Sequence, residues 1–193
     1  MDIANHELWC PEGHFNINQS LCINEICSTQ QPKYVLETGF CTGRSALSVL
    51  LSCDTIIKFV NIDINYDYMK PHGRIFLNKF ITHFPQFKYY EKNSNNFLTD
   101  KFIQEEFPNG IDWFTVDGDH SYKGCLHDLI TSLPHMNKNG IIIVDDYMSG
   151  PPDGAHIPDV TKACDYFFKI NSNNLIKKTW NKNGKGFCLF IIK

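Results

Sequence analysis

Two apolar runs end abruptly in carboxylates, and that pair of endings constrains the chain more than any other feature. The first is Ile111-Asp-Trp-Phe-Thr-Val-Asp-Gly-Asp-His-Ser-Tyr122, and the second is Ile141-Ile-Ile-Val-Asp-Asp-Tyr147. A helix-period segment and an Asn139-Gly140 turn separate them, so both runs read as strands of a parallel sheet joined by a crossover. Parallel strands deliver their C-terminal ends to one edge, where ligands bind. That edge collects Asp117, Asp119, Asp145 and Asp146, which repel one another unless a cation or a ligand's hydroxyls lie between them.

The rest of the chain repeats the pattern. Strands are expected at 34–37, 56–62, 87–90, 111–116 and from 141, each followed by an amphipathic helix. The helices are expected at 44–52, 76–84 (apolar face Phe76, Leu77, Phe80, Ile81 and Phe84), 95–107 and 122–133 (apolar face Tyr122, Leu126, Leu129, Ile130 and Leu133), and a further helix runs through Val160, Ala163, Cys164, Phe167 and Phe168. Asn183-Gly184 between two apolar runs predicts a hairpin, so the last two strands are antiparallel neighbours. The expected fold is α/β: a Rossmann-like doubly wound sheet, mostly parallel with one antiparallel strand. Residues 1–32 do not fit the alternation and predict an N-terminal helical extension or lid, with a helix at 17–29, ahead of one domain over 33–193. The Pro/Gly-rich loop 147–158 is long enough to serve the site.

With 18 basic and 21 acidic side chains the formal charge is -3, which counts against a nucleic-acid surface. No run approaches a membrane span, and no signal-peptide pattern opens the sequence. The eight cysteines form no C-x-x-C pair, which suits a reducing, cytoplasmic setting.

Candidate ligand contacts follow from the strand ends. Glu37-Thr-Gly39-Phe-Cys-Thr-Gly43-Arg-Ser45 is a tight strand-to-helix turn, with Gly39 free to turn sharply and Gly43 free to pack closely. A nicotinamide-nucleotide fold would want glycine at position 41, which is Cys41. Asp63 at the end of the second strand can accept from ribose hydroxyls or cap a turn. Lys92-Asn93-Ser94 follows the third strand, and Ser94 is also placed to cap the next helix. Arg44 is expected to face solvent or the helix N-terminal region, with no role assigned, and His156 lies in the loop beside the mouth of the site.

This order of elements and motifs resembles the class I S-adenosylmethionine-dependent methyltransferases, in which the last strand inserts antiparallel beside the fifth. The Asp117-Gly-Asp-His120 and Asp145-Asp146 segments resemble the methyltransferase type 24 family and the wider group of catechol and macrolide-sugar O-methyltransferases. The resemblance implies S-adenosylmethionine as cofactor, bound by Glu37, Gly39, Gly43, Ser45, Asp63, Asn93, Ser94 and Asp117. It also implies Mg²⁺ held by Asp117, Asp145 and Asp146, with Asp117 and His120 as catalytic residues. A divalent ion on the acceptor hydroxyl would lower its pKa, and His120 would take the proton. The alternatives are an Asp145-Asp146 pair that binds substrate hydroxyls without metal, and a structural His120. The implied reaction is O-methylation of a small-molecule or sugar hydroxyl. The rivals are a metal-independent enzyme acting on protein or nucleic acid, and a non-catalytic cofactor-binding module. No inserted substrate domain is visible, so the acceptor site is either open or completed by a second subunit in a homodimer.

Overall fold

The computed structural model describes residues 3–64 and 70–193. Seven strands, β1 (Tyr34–Thr38), β2 (Lys58–Asp63), β3 (Phe87–Glu91), β4 (Ile111–Val116), β5 (Met136–Val144), β6 (Leu175–Lys182) and β7 (Lys185–Ile192), form one sheet. Their order is β3-β2-β1-β4-β5-β7-β6. All neighbours are parallel except β7, which runs antiparallel to both β5 and β6. The expected mostly parallel doubly wound sheet with one reversed strand is the observed fold.

Seven helices flank the sheet: α1 (Ile17–Gln30), α2 (Arg44–Leu50), α3 (Lys70–His83), α4 (Ser94–Phe97), α5 (Asp100–Glu106), α6 (Tyr122–Ser132) and α7 (Pro158–Asn171). Because side chains alternate along a strand, the sheet feeds two cores. Val35, Phe59, Trp113, Ile141, Ile143 and Phe187 pack on one face against α1, α2 and α3. Their sequence neighbours Leu36, Val60, Phe114, Ile142, Val144 and Cys188 pack on the other against α5, α6 and α7. With both faces covered, the central strands are apolar throughout rather than alternating.

Three local expectations need correction. The helix expected over 95–107 is two helices, because Leu98 is extended and the Thr99 side chain caps α5 by accepting from the Phe102 N–H at 3.2 Å. The fifth strand starts at Met136 and not after Gly140; Asn139 takes φ +63° inside it, and the pairing with β4 shifts register between Ile111 and Trp113. Ile81 and Ile130, expected on helix core faces, are exposed, while Cys125 takes the buried position on α6.

The parallel ladder continues past the strand ends and sets the loops in place. The Gly39 N–H donates to the Ile62 carbonyl (2.9 Å), Asp117 N–H to Thr38 (2.9 Å), and Asp145 N–H to Val116 (3.0 Å). Four loops are thereby fixed side by side at the point where the strand order reverses between β1 and β4. Gly39 is required there: it has φ +85°, and a Cβ would lie 2.0 Å from the Asp117 carbonyl oxygen.

Candidate active site

A cavity of about 910 Å³ opens at this edge. Its size is within the range of sites that enclose cofactor-sized ligands. One half is built from the β1, β2 and β3 loops. Gly39, Cys41, Ser45, Asp63, Asn93 and Ser94 line it. An Asp63 carboxylate oxygen accepts the N–H groups of Phe40 (2.5 Å) and Cys41 (3.2 Å), so it clamps the glycine loop as well as facing the cavity. Asn93, and not Ser94, caps α4, through the Asn95 N–H at 3.0 Å; the Ser94 hydroxyl points toward Asp128 at 3.4 Å.

Glu37 and Gly43 stand behind this wall and do not line the cavity. The Glu37 carboxylate is fully buried and accepts from the Ser45 hydroxyl (2.6 Å) and the Asn61 amide (2.7 Å). Burial outweighs those two bonds and raises its pKa to about 8. Gly43, at φ +77°, leaves room for the rings of Phe40 and Phe80, which a Cβ would meet at 2.7 Å and 2.9 Å.

The other half holds Asp117, His120, Asp145 and Asp146. The His120 Nε2 lies 3.3 Å from Asp117 Oδ1 and 3.6 Å from Asp146 Oδ2. Facing ligand atoms of Asp117, His120 and Asp146 lie within 4.8 Å of one another; among the described residues this is the group able to hold a metal ion. Asp145 also lines the cavity but is not one of that group; its Oδ1 accepts from the Gln19 amide (2.8 Å) and from the Asp146 N–H (2.8 Å). Burial, and then the charges of Asp117 and Asp146, push the Asp145 carboxyl well above the usual range. Burial also raises Asp117, against the opposing effect of His120. The bond to Asp117 in turn raises His120 to about 9, which makes it a cation and a donor at neutral pH.

Several wall residues were not singled out from the sequence. His14 and Phe15 come from the segment before α1, Asp153, Ala155 and Ile157 from the loop after β5, and Lys185 from the start of β7. Lys185 follows from topology, since the reversed strand begins at the edge where the parallel ones end. His14 and Phe15 carry no local signal. Arg44 opens α2 and is engaged at that helix N-terminus, the second of its two expected places. It donates to the carbonyls of Cys10 (2.6 Å), Gly13 (2.6 Å) and Phe15 (2.8 Å) and stacks over Trp9, pinning that segment against α2. His156 is exposed and lies off the cavity wall between two residues that do line it.

The strand order, the loops gathered at its switch point and the divided cavity define a class I methyltransferase fold. Residues 36–147, which carry most of the cavity wall, match the methyltransferase domain family, type 24, and the chain belongs to that family. The O-methyltransferase from Bacillus cereus, solved with SAH, superposes with a TM-score of 0.72 at 12% identity over 92% of this chain and 82% of that one. The O-methyltransferase TomG from Streptomyces achromogenes, which acts in tomaymycin synthesis and was solved with SAM, gives 0.70 at 13% identity over 92% and 81%. The SAH-bound Podospora anserina methyltransferase PaMTH1 gives 0.65 at 19% identity over 91% and 78%. A 45-residue stretch is 42% identical to the uncharacterized protein R132 of Acanthamoeba polyphaga mimivirus, and covers 23% of this chain and 20% of that protein.

Proposed function

We propose that this protein is an S-adenosylmethionine-dependent O-methyltransferase acting on the hydroxyl of a small-molecule acceptor. The observation that carries this reading is the coincidence of the family match, residues 36–147, with the cavity walls at the sheet's switch point. The bound cofactor supplies an electrophilic methyl group on a sulfonium. Asp63 offers a strand-end carboxylate for ribose hydroxyls, and Asn93 and Ser94 flank the place of the base. Glu37, uncharged at neutral pH with its pKa raised to about 8, holds Ser45 and Asn61 and keeps the wall rigid.

In the acceptor half, two carboxylates and one imidazole make a donor set that fits a divalent cation, Mg²⁺ or Mn²⁺. Such an ion, when bound, would acidify an acceptor hydroxyl. Asp117, His120 and Asp146 are the residues that would hold it, with Asp145 set back from them. With no ion bound, His120 lies as a donor against both carboxylates and serves as a base for the hydroxyl proton only after giving up its own; with an ion bound, its ligating nitrogen is committed and takes no proton. Phe15 and Ile157 give the acceptor an apolar wall. We read residues 1–32 as an extension that completes this wall ahead of the 33–193 domain.

No helix among the described residues is long and apolar enough to cross a membrane. A cytoplasmic setting and a homodimer that closes the acceptor side complete the proposal. Calorimetry with S-adenosylmethionine, with and without Mg²⁺, on the wild type, Asp63→Ala and Asp146→Asn tests it. Cofactor binding lost in Asp63→Ala but kept in Asp146→Asn is expected. A wild type that binds no S-adenosylmethionine rejects the reading.

A further inference from the structure

The aspartate pair that closes β5 divides into two roles, and the residue that divides them comes from outside the family-matched segment. Gln19 is the third residue of α1 and is completely buried. Its side-chain oxygen accepts the Asn16 N–H at 2.9 Å, and the Asn16 side chain accepts the Gln19 N–H at 3.0 Å, which closes a capping box. That bond fixes which way the Gln19 amide faces. With the oxygen committed to Asn16, the NH₂ must point away, and it donates to Asp145 Oδ1 at 2.8 Å. The same carboxylate oxygen accepts the backbone N–H of Asp146 at 2.8 Å.

The second bond matters because Asp146 takes φ +60°, a left-handed conformation that a non-glycine residue holds only when its surroundings enforce it. In that conformation the Asp146 carboxylate faces His120 at 3.6 Å, and its other oxygen accepts from the Ser149 hydroxyl at 3.1 Å. A continuous relay thus runs from the α1 cap through Asp145 to the Asp146 backbone and its reactive-side carboxylate.

We propose that Gln19 is a positioning residue for this pair: it holds Asp145 as an anchor and leaves Asp146, with Asp117 and His120, to face the reacting groups. The proposal rests on the cation reading of that cluster for one of its two readouts. A site using both aspartates as ligands would leave Asp145 free to turn inward, whereas here its Oδ1 already receives two donors.

The test compares Gln19→Glu, Asp145→Asn and Asp146→Asn with the wild type. Gln19→Glu keeps the oxygen that closes the capping box and replaces the donor to Asp145 with a carboxylate oxygen that repels it. The readouts are Mn²⁺ binding by calorimetry, hydrogen exchange of the 145–149 amides without metal, and SAH binding as a check on the fold. Gln19→Glu is expected to weaken Mn²⁺ about tenfold, in line with lost support of a metal ligand, and to speed exchange at Asp146 by about the same factor. Asp145→Asn stays within about threefold of wild type, because an amide oxygen still accepts from Gln19 and from Asp146.

Asp145→Asn as damaging to Mn²⁺ binding as Asp146→Asn would overturn the proposal. Unchanged exchange and affinity in Gln19→Glu would overturn it too. A wild type that binds no Mn²⁺ rejects the cation reading alone, and the exchange comparison then decides the role of Gln19.

Discussion

The two halves of the cavity handle negative charge in opposite ways. On the β1–β2 side every carboxylate is supplied with donors: Glu37 by Ser45 and Asn61, Asp63 by two backbone N–H groups. On the β4–β5 side Asp117, Asp145 and Asp146 crowd together, and among the described residues the Asp117 carboxylate has the His120 ring as its one hydrogen-bonded partner, at 3.3 Å. The first half is finished before any ligand arrives. The second stores repulsion that a bound cation or acceptor relieves, and burial keeps water from screening it.

Glu37 offers the largest test of that contrast. Its folded pKa, about 8, is raised above the unfolded value, so its stabilising contribution is full below about pH 4.5 and is lost as pH rises through 8. Glu37→Gln should remove that slope, on the order of 3 kcal/mol between pH 5 and 9 in urea denaturation. An unchanged slope would mean that the carboxylate ionises freely and that the first half is not finished after all.

Next comes Asp146→Asn, expected to cost at least about 100-fold in Mn²⁺ affinity while SAH affinity changes less than about threefold. Equal losses for both ligands would show that the halves are not separable. Arg44→Lys keeps the charge but loses the forked contacts to three carbonyls. We expect a loss of about 1–2 kcal/mol and faster proteolysis in residues 10–16, which would loosen the acceptor wall first.

The smallest effect calibrates the others. Glu106, remote from the cavity, bonds Lys58, Lys88 and Tyr90. Burial opposes its ionisation, but these partners outweigh it and bring its pKa down to about 2. Its contribution is present above about pH 4.5 and lost as pH falls through 2, so Glu106→Gln should cost about 1 kcal/mol at pH 7 and almost nothing at pH 2.

Where a function followed from a strand ending, the sequence showed it. Gly39, Asp63, Asp117 and Asp146 sit at the edge because apolar runs stop there, and such unbroken runs are visible without a structure. The capping signal of Thr99 was also present, in Leu98-Thr-Asp100, but a continuous apolar face concealed the break. Gln19 and Arg44 were not legible, because their partners lie 126 and 29–34 positions away and depend on how α1 packs. Capping boxes announce a helix start; nothing local says that the spare amide hydrogen reaches a distant aspartate.

The reversed strand also sets an order of assembly. β5 presents an open edge until β7 inserts between it and β6, and Lys185 at the start of β7 joins the cavity wall in that same step. During synthesis the cofactor loops, complete by Asp63 and Ser94, can take shape while the acceptor wall still lacks a side. A ribosome-bound chain ending before residue 185 would therefore be a one-sided vessel, with an exposed strand edge open to pairing with another chain.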